Sequence, residues 1–108
     1  MKTAVIYARV SSTNDRQSNQ RQIEDLTRYA KIHEYTIVNV YEEHISGATK
    51  NENRTVLMEC LNFCVENKVD CLLLSELSRL GRSTLQVLKS LDMLHEAQVS
   101  VYIQNLGL

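Results

Sequence analysis

The chain has 108 residues, 44% apolar and 23% charged, a balance typical of one folded domain with a real hydrophobic core. Its formal net charge of −1 argues against a globally basic DNA-binding module, so any affinity for DNA must come largely from elsewhere. With no proline and only 3 glycines, the chain also lacks the composition of a flexible linker or a disordered tail.

The apolar segment 3–8 is too short for a secretory signal, and no apolar run approaches the length of a membrane span. Three cysteines, Cys60, Cys64 and Cys71, in a chain without an export signal fit a reducing cytoplasm, which is the compartment we expect. We expect these thiols to be buried rather than to bind a metal, because the histidines lie at no ligand-like spacing.

The first half of the chain alternates strand and helix patterns. Residues 2–8 are a short apolar run with polar neighbours, which predicts a buried strand. Residues 17–34 place apolar side chains at helical spacing, and residues 35–41 are rich in β-branched and aromatic residues. These patterns predict a helix followed by a second strand. Residues 42–52 are polar and aperiodic, and predict a loop.

The second half repeats the alternation. Residues 54–67 predict a helix with Asn53 as its N-cap, and residues 69–74 predict a strand that is buried on both faces. Ser83 begins a capping-box spacing, so a helix is expected from there to Ala97. Residues 99–103 predict a fourth strand.

The same patterns predict which side chains form the core. The last helix carries a leucine stripe made of Leu85, Leu88, Leu91 and Leu94. Across the domain, the residues expected inside are Val5, Leu26, Val38, Leu61, Leu73, Leu88 and Val101. The alternation predicts an α/β fold with three layers, α/β/α, around a mostly parallel sheet of four strands, all within one domain spanning 1–108.

Ligands of such folds bind beyond the carboxyl ends of the strands. Arg9 and Ser11 follow the first predicted strand, while Ser78, Arg79 and Arg82 follow the third. Guanidinium groups bind phosphate oxygens in pairs, and a hydroxyl beside them can attack phosphorus. The sequence shows no cluster of Asp and Glu that resembles a two-metal site, and no histidine lies near Ser11 in the sequence.

These residues alone leave two interpretations open. Serines that follow strands often belong to turns, and arginines are often solvated surface groups. The conjunction at two strand ends favours an anion-binding site, with phosphoryl transfer as one possible chemistry.

Four segments then form a longer pattern in a fixed order along nearly the whole chain. They are Tyr7-Ala8-Arg9-Val10-Ser11-Ser12, then Gln17-Ser18 with Gln22 and Leu26, then Ser46-Gly47 followed by Arg54, and finally Leu77-Ser78-Arg79-Leu80-Gly81-Arg82-Ser83. This pattern resembles the catalytic domain of serine recombinases of the resolvase and invertase family. The resemblance implies a sheet of strand order 2-1-3-4 and the residue roles that follow.

By this resemblance Ser11 is the nucleophile, and the scissile phosphate is held by Arg9, Arg79 and Arg82. Arg54 is a further active-site arginine, and Gln17 and Ser46 are supporting candidates. Ser78 stands where many small resolvases have an aspartate, so no carboxylate role transfers to it. The reaction implied needs no cofactor, no metal and no small-molecule substrate.

The family mechanism implies cleavage of DNA through a 5′-phosphoserine intermediate, followed by rejoining. The implied partners are DNA and further copies of the protein, a homodimer that assembles to a tetramer, with no membrane involved. The family's dimerisation helix and DNA-binding region would follow the fourth strand, so we expect the chain to be a truncated piece that is inactive alone.

Three alternatives remain beside a resolvase or invertase. The chain could be the catalytic domain of a larger serine integrase or transposase. It could be a relative that has lost activity, although the intact serine and arginines argue against this. A non-catalytic, anion-binding module of flavodoxin-like fold is less favoured, because the chain has no G-x-G-x-x-G sequence and no P-loop.

Overall fold

The computed structural model describes residues 2–10, 16–44, 55–81 and 83–107. Strands and helices alternate along these residues. Their bounds are β1 Lys2–Val10, α1 Arg16–Ile32, β2 Tyr35–His44, α2 Thr55–Glu66, β3 Cys71–Leu74, α3 Thr84–Glu96 and β4 Ser100–Ile103. A 3₁₀ turn, Leu77–Leu80, lies between β3 and α3, and a second, Gln104–Leu106, follows β4.

The strands form one four-stranded sheet of order β2-β1-β3-β4, and every neighbouring pair is parallel. Parallel neighbours need crossover connections, and the helices between the described strands supply them. The predicted α/β fold and its strand order 2-1-3-4 are therefore confirmed.

The two faces of the sheet pack against different helices. Alternate residues of β1 and β3 point to opposite sides, so Val5 and Leu72 join the core formed with α2 and α3, whereas Ile6 and Leu73 join the core formed with α1. All residues of β3 are buried, which confirms the prediction of a strand covered on both faces. The sheet is thus the middle of three layers.

Strands β1 and β2 are longer than the sequence predicts. They pair in parallel from Lys2–Tyr35 to Val10–His44, so Arg9 lies inside β1 rather than after it, and residues 42–44 belong to a strand rather than a loop. The sequence pattern does not predict this extension, because the residues at the ends of both strands are charged. Only the pairing of β1 with β2 keeps these residues extended.

The leucine stripe predicted for α3 is partly wrong. Leu85 and Leu88 are 62% and 56% exposed, whereas Ser90 and Leu94 are the buried residues of the helix. The hydroxyl of Ser90 donates a hydrogen bond to the carbonyl oxygen of Leu80 at 3.0 Å, which allows a serine to occupy a core position. The buried face of α3 is therefore rotated away from the two exposed leucines.

Val38 is the other misplaced core residue, with an exposure of 43%. The β1–β2 register shifts at this point, because Ala4 pairs with Ile37 and Val5 with Asn39. Val38 consequently has no partner in β1 and bulges from an edge strand. Val101 is half-buried, and the remaining predicted core residues, Val5, Leu26, Leu61 and Leu73, are buried.

Candidate active site

The carboxyl edge of the sheet is stepped at the place where β1 meets β3. The two strands pair from Ala4–Cys71 to Ile6–Leu73, and β1 then continues to Val10 beside β2 alone. Arg9 therefore lies in the part of β1 that reaches beyond its pairing with β3. The chain leaving β3 forms the 3₁₀ turn that carries Arg79 at this same edge.

Arg9 is buried, with an exposure of 7%, beside a buried carboxylate on the next strand. Its register partner in β2 is Glu43, which is 4% exposed, and paired residues of parallel strands point to the same face. The hydroxyl of Tyr7, two residues before Arg9, donates a hydrogen bond to Oε1 of Glu43. A guanidinium, a carboxylate and a phenol thus share one buried patch, where charges are screened far less than at the surface.

Helix α2 closes this patch from one side with its cysteines. Cys60 and Cys64 are fully buried, as predicted, and Cys71 is buried on the other face of the sheet. The pKa of the Cys60 thiol lies well above its usual value because of its hydrogen bond with Cys64, its burial and the nearby Glu43 carboxylate. At neutral pH this thiol is therefore protonated, and it is a packing group rather than a nucleophile.

The turn that carries Arg79 is anchored to α3 at three points. Leu80 is fully buried, and its carbonyl oxygen accepts the hydrogen bond from Ser90. A Cβ added at Gly81 would lie 2.8 Å from Cβ of Gln86 and 2.8 Å from the backbone nitrogen of Val87, so the turn and the helix approach too closely for any larger residue. Because these contacts fix the turn, the side chain of Arg79 is attached to a rigid backbone.

Arg79 is held by a carboxylate from its own turn. Its Nη2 donates to Oε1 of Glu76 at 3.0 Å, and the hydroxyl of Ser78 donates to Oε2 of the same carboxylate at 3.1 Å. The side chain of Arg79 is 17% exposed and that of Glu76 is 45% exposed. Ser78, one of the candidate residues, therefore contacts Arg79 indirectly, through Glu76.

Helix α1 contributes a tether to the same edge. The hydroxyl of Ser75, directly after β3, donates to Oε1 of Gln22 at 3.2 Å. This hydrogen bond joins the start of the Arg79 turn to α1, on the opposite face from α3. The turn is consequently fixed from both faces of the sheet.

The remaining predicted site residues lie outside what the structure describes. They are Ser11, Ser46, Arg54 and Arg82, together with the side chain of Gln17, whose backbone forms part of the first turn of α1. Of the eight candidates, Arg9, Ser78 and Arg79 have described side chains, and these three lie toward the carboxyl edge.

Two acidic residues of the site, Glu43 and Glu76, were missed by the sequence analysis. Glu43 was assigned to a polar loop, although its position just before Ser46-Gly47 and opposite the end of the first strand was a usable signal. Glu76 lies three residues before Arg79, the spacing of a local ion pair, and this signal was also available.

Within the described ranges, no group of three or more histidine, cysteine or acidic side chains is placed to hold a metal ion. Nor is any helix in these ranges long and apolar enough to cross a membrane. The chemistry that the described side chains offer is that of buried and half-buried guanidinium groups at a strand edge, which is suited to oxyanions such as phosphate.

Known proteins are similar to this chain in fold and in sequence. The model of the family "Resolvase, N terminal domain" matches residues 4–107. The transposon Tn1546 resolvase of Enterococcus faecium is 33% identical over 95 residues, covering 88% of this chain and 44% of that protein. The transposon Tn2501 resolvase of Escherichia coli is 30% identical over 107 residues, covering 99% of this chain and 52% of that protein.

Among solved structures, the N-terminal catalytic domain of TP901-1 integrase superposes with a TM-score of 0.82 at 30% identity, covering 99% of this chain and 80% of that one. The C-terminal catalytic domain of ISC1926 TnpA, an IS607-like serine recombinase, superposes with the same TM-score and identity, covering 94% of this chain and 70% of that one. The α/β domain with strand order 2-1-3-4 thus has the fold of serine recombinase catalytic domains. The chain belongs to the resolvase family, in the part that corresponds to the family's N-terminal domain. It spans about half the length of the two curated resolvases.

Proposed function

We propose that this chain is the catalytic domain of a site-specific DNA recombinase that cuts and rejoins DNA through a covalent phosphoserine at Ser11. The observation that carries the proposal is the burial of Arg9 at the end of β1, two residues before Ser11, at the sheet edge where the turn bearing Arg79 leaves β3. Family membership supplies the substrate class, DNA.

The proposed reaction is a transesterification. Oγ of Ser11 forms a bond to phosphorus, the bond from phosphorus to the 3′ oxygen breaks, and the product is a 5′-phosphoserine with a free 3′-hydroxyl. The serine proton passes to a base, and the departing oxygen gains a proton. Reversal by a 3′-hydroxyl of another end restores the DNA, and the energy of the bond is conserved, so no nucleotide cofactor is consumed.

Arginines perform the electrostatic work in this scheme. Arg9, Arg79 and Arg82 would neutralise the non-bridging oxygens as negative charge grows on the phosphoryl group, with Arg54 as a further cation and with Gln17, Ser46 and Ser78 in supporting positions. A buried guanidinium such as Arg9 acts at a lower effective dielectric than a surface one, and its fixed position needs no reorganisation during the reaction.

The proposal covers the chemistry common to resolvases and integrases rather than one outcome. The two resolvases and the integrase catalytic domain are similarly related to this chain, at 33%, 30% and 30% identity. Recombination would require several active sites, so we further propose a homodimer that assembles to a tetramer on DNA, through segments beyond the fourth strand.

The test is Ser11→Ala in the longer protein that we expect to contain this chain. Wild-type protein should form a covalent adduct with a DNA site, seen as a slow band on a denaturing gel, and Ser11→Ala should form none. Binding measured by gel shift should persist in the variant, because a separate region would read the bases. An adduct that survives Ser11→Ala would overturn the proposal, as would a wild-type protein that binds its site but never forms an adduct.

A further inference from the structure

The carboxylate that holds Arg79 is available for exchange. We infer that Glu76 occupies the place of a DNA phosphate on Arg79, so that it positions this arginine in the absence of DNA and is displaced when a phosphodiester binds. The carboxylate oxygen that accepts from Arg79 is the same kind of charged acceptor as a phosphate oxygen. The inference deepens the proposed function and rests on it for the identity of the anion.

The contacts of Glu76 direct it toward Arg79 rather than toward the backbone. Glu76 stands at the N-cap position of the 3₁₀ turn, with an extended backbone at φ −146° and ψ 152°, yet its side chain makes no capping hydrogen bond. Its two oxygens instead accept from Nη2 of Arg79 and from the hydroxyl of Ser78. Ser78 thus fixes the carboxylate in the orientation that meets the guanidinium.

Because Glu76 is partly exposed, breaking its ion pair with Arg79 costs little free energy. The side chain of Glu76 is 45% exposed, and an ion pair open to water contributes little to stability. Arg79 is only 17% exposed and its turn is anchored through Leu80, so the arginine stays in place while the carboxylate can turn to solvent. A phosphate that also meets other arginines of the site would therefore compete successfully.

The negative charge of Glu76 weakens phosphate binding. Before exchange it neutralises Arg79, and after exchange it is a negative charge close to a bound anion. A residue with a merely structural role would weaken phosphate binding when replaced. The exchange model predicts the opposite, since neutralising Glu76 removes a competitor.

The experiment measures the binding of inorganic phosphate to this chain by following the Nε–Hε NMR signal of Arg79. Glu76→Gln should bind phosphate about two- to fivefold more tightly than wild type, the range expected for loss of one partly exposed ion pair. Glu76→Asp, which keeps the charge, should stay near the wild-type affinity. Thermal unfolding of each variant shows that the fold is retained.

Asp25→Asn is the matched control. Asp25 pairs with Arg28 at 3.3 Å with the same three-residue spacing as Glu76 and Arg79, but on α1 rather than in the Arg79 turn; its side chain is 33% exposed, and its Oδ2 also accepts from Nε2 of Gln104 at 3.4 Å. The Asp25→Asn variant loses the same charge as Glu76→Gln, so it shows any effect of net charge alone on phosphate affinity. The inference would be overturned if Glu76→Gln bound phosphate no more tightly than Asp25→Asn, or more weakly than wild type.

Failure of the inference and failure of the proposed function give different results. If wild-type protein forms a Ser11-dependent DNA adduct while Glu76→Gln leaves phosphate affinity unchanged, the exchange model is wrong and the recombinase proposal stands. If Glu76→Gln tightens phosphate binding but the wild-type protein forms no adduct on DNA that it binds, the exchange stands as a property of Arg79 and the recombinase proposal is wrong.

Discussion

The two faces of the sheet use the same strand for different purposes. Toward α1, β1 presents Ala4 and Ile6 to an apolar core that contains Leu26, Cys71 and Leu73. Toward α2 and α3, the alternate residues begin as core with Val5, then become polar with Tyr7 and end at the buried Arg9. On the α1 side these residues of β1 serve only the apolar core, whereas on the other side β1 passes from core to candidate active site within five residues, Val5 to Arg9.

This difference follows from the unequal lengths of the strands. Each residue of β3 is covered on both sides, so it can only be apolar. Strand β1 runs past its pairing with β3 while still hydrogen-bonded to β2. Its later residues are therefore buried beside β2 without β3 on their other side. A buried polar group is tolerated there because a neighbouring strand supplies a partner, as Glu43 does for Tyr7.

The largest expected effect tests whether the apolar core beneath α1 acts on stability alone. Leu26→Ala removes a fully buried side chain and should lower the free energy of unfolding by about 2–5 kcal/mol, measured by urea denaturation. Phosphate affinity of the folded variant should not change. Leu85→Ala, the same truncation at a residue that is 62% exposed, should change stability by no more than about 0.5 kcal/mol. A weaker phosphate affinity in folded Leu26→Ala would show that the two faces are coupled.

An alkaline pH series probes the same face. Burial raises the pKa of the Cys71 thiol from 9.0 to about 11, so the folded state keeps a proton that the unfolded chain releases. The resulting stability is fully present below about pH 9 and is lost as pH rises toward 11, by up to about 2–3 kcal/mol.

Cys71→Ala isolates this contribution from the tyrosines, which titrate in the same range. Unfolding free energies of both proteins at about pH 8 and about pH 10.5 should differ in slope, with the steeper fall in wild type. Identical slopes would mean that the Cys71 thiol is accessible to water, and that the α1 face is not the closed layer described above.

The smallest effect concerns the polar end of the other face. Tyr7→Phe removes the donor to the buried Glu43 carboxylate and should cost about 1–3 kcal/mol of unfolding free energy. Tyr41, the register partner of Tyr7 in β2, is the control, because its hydroxyl accepts from Asn39 at 3.1 Å in a half-buried setting. Tyr41→Phe should cost about 1 kcal/mol or less. Equal costs would contradict a special role for the buried Tyr7–Glu43 contact.

Much of the fold could be predicted from local pattern. The uninterrupted run Cys71–Leu74 predicted a doubly buried strand, and Ser83 predicted the start of α3, where its hydroxyl accepts from the backbone nitrogen of Gln86 at 3.3 Å. Both signals depend on residues close together in sequence. The motif that includes Arg9 and Arg79 likewise identified the family that the family model then showed.

The sequence by itself determined the alternation of strands and helices, the parallel sheet and the residues from which a phosphate site could be built, because periodicity and capping are local properties. Only the tertiary structure decided that Glu43 is buried against Tyr7, that Ser90 rather than Leu88 faces the core, and that Val38 bulges outward. Each of these depends on a partner distant in the sequence or on the rotation of a helix about its own axis. A buried polar side chain is stable only where such a partner exists, and the partner is known once the strands and helices have packed.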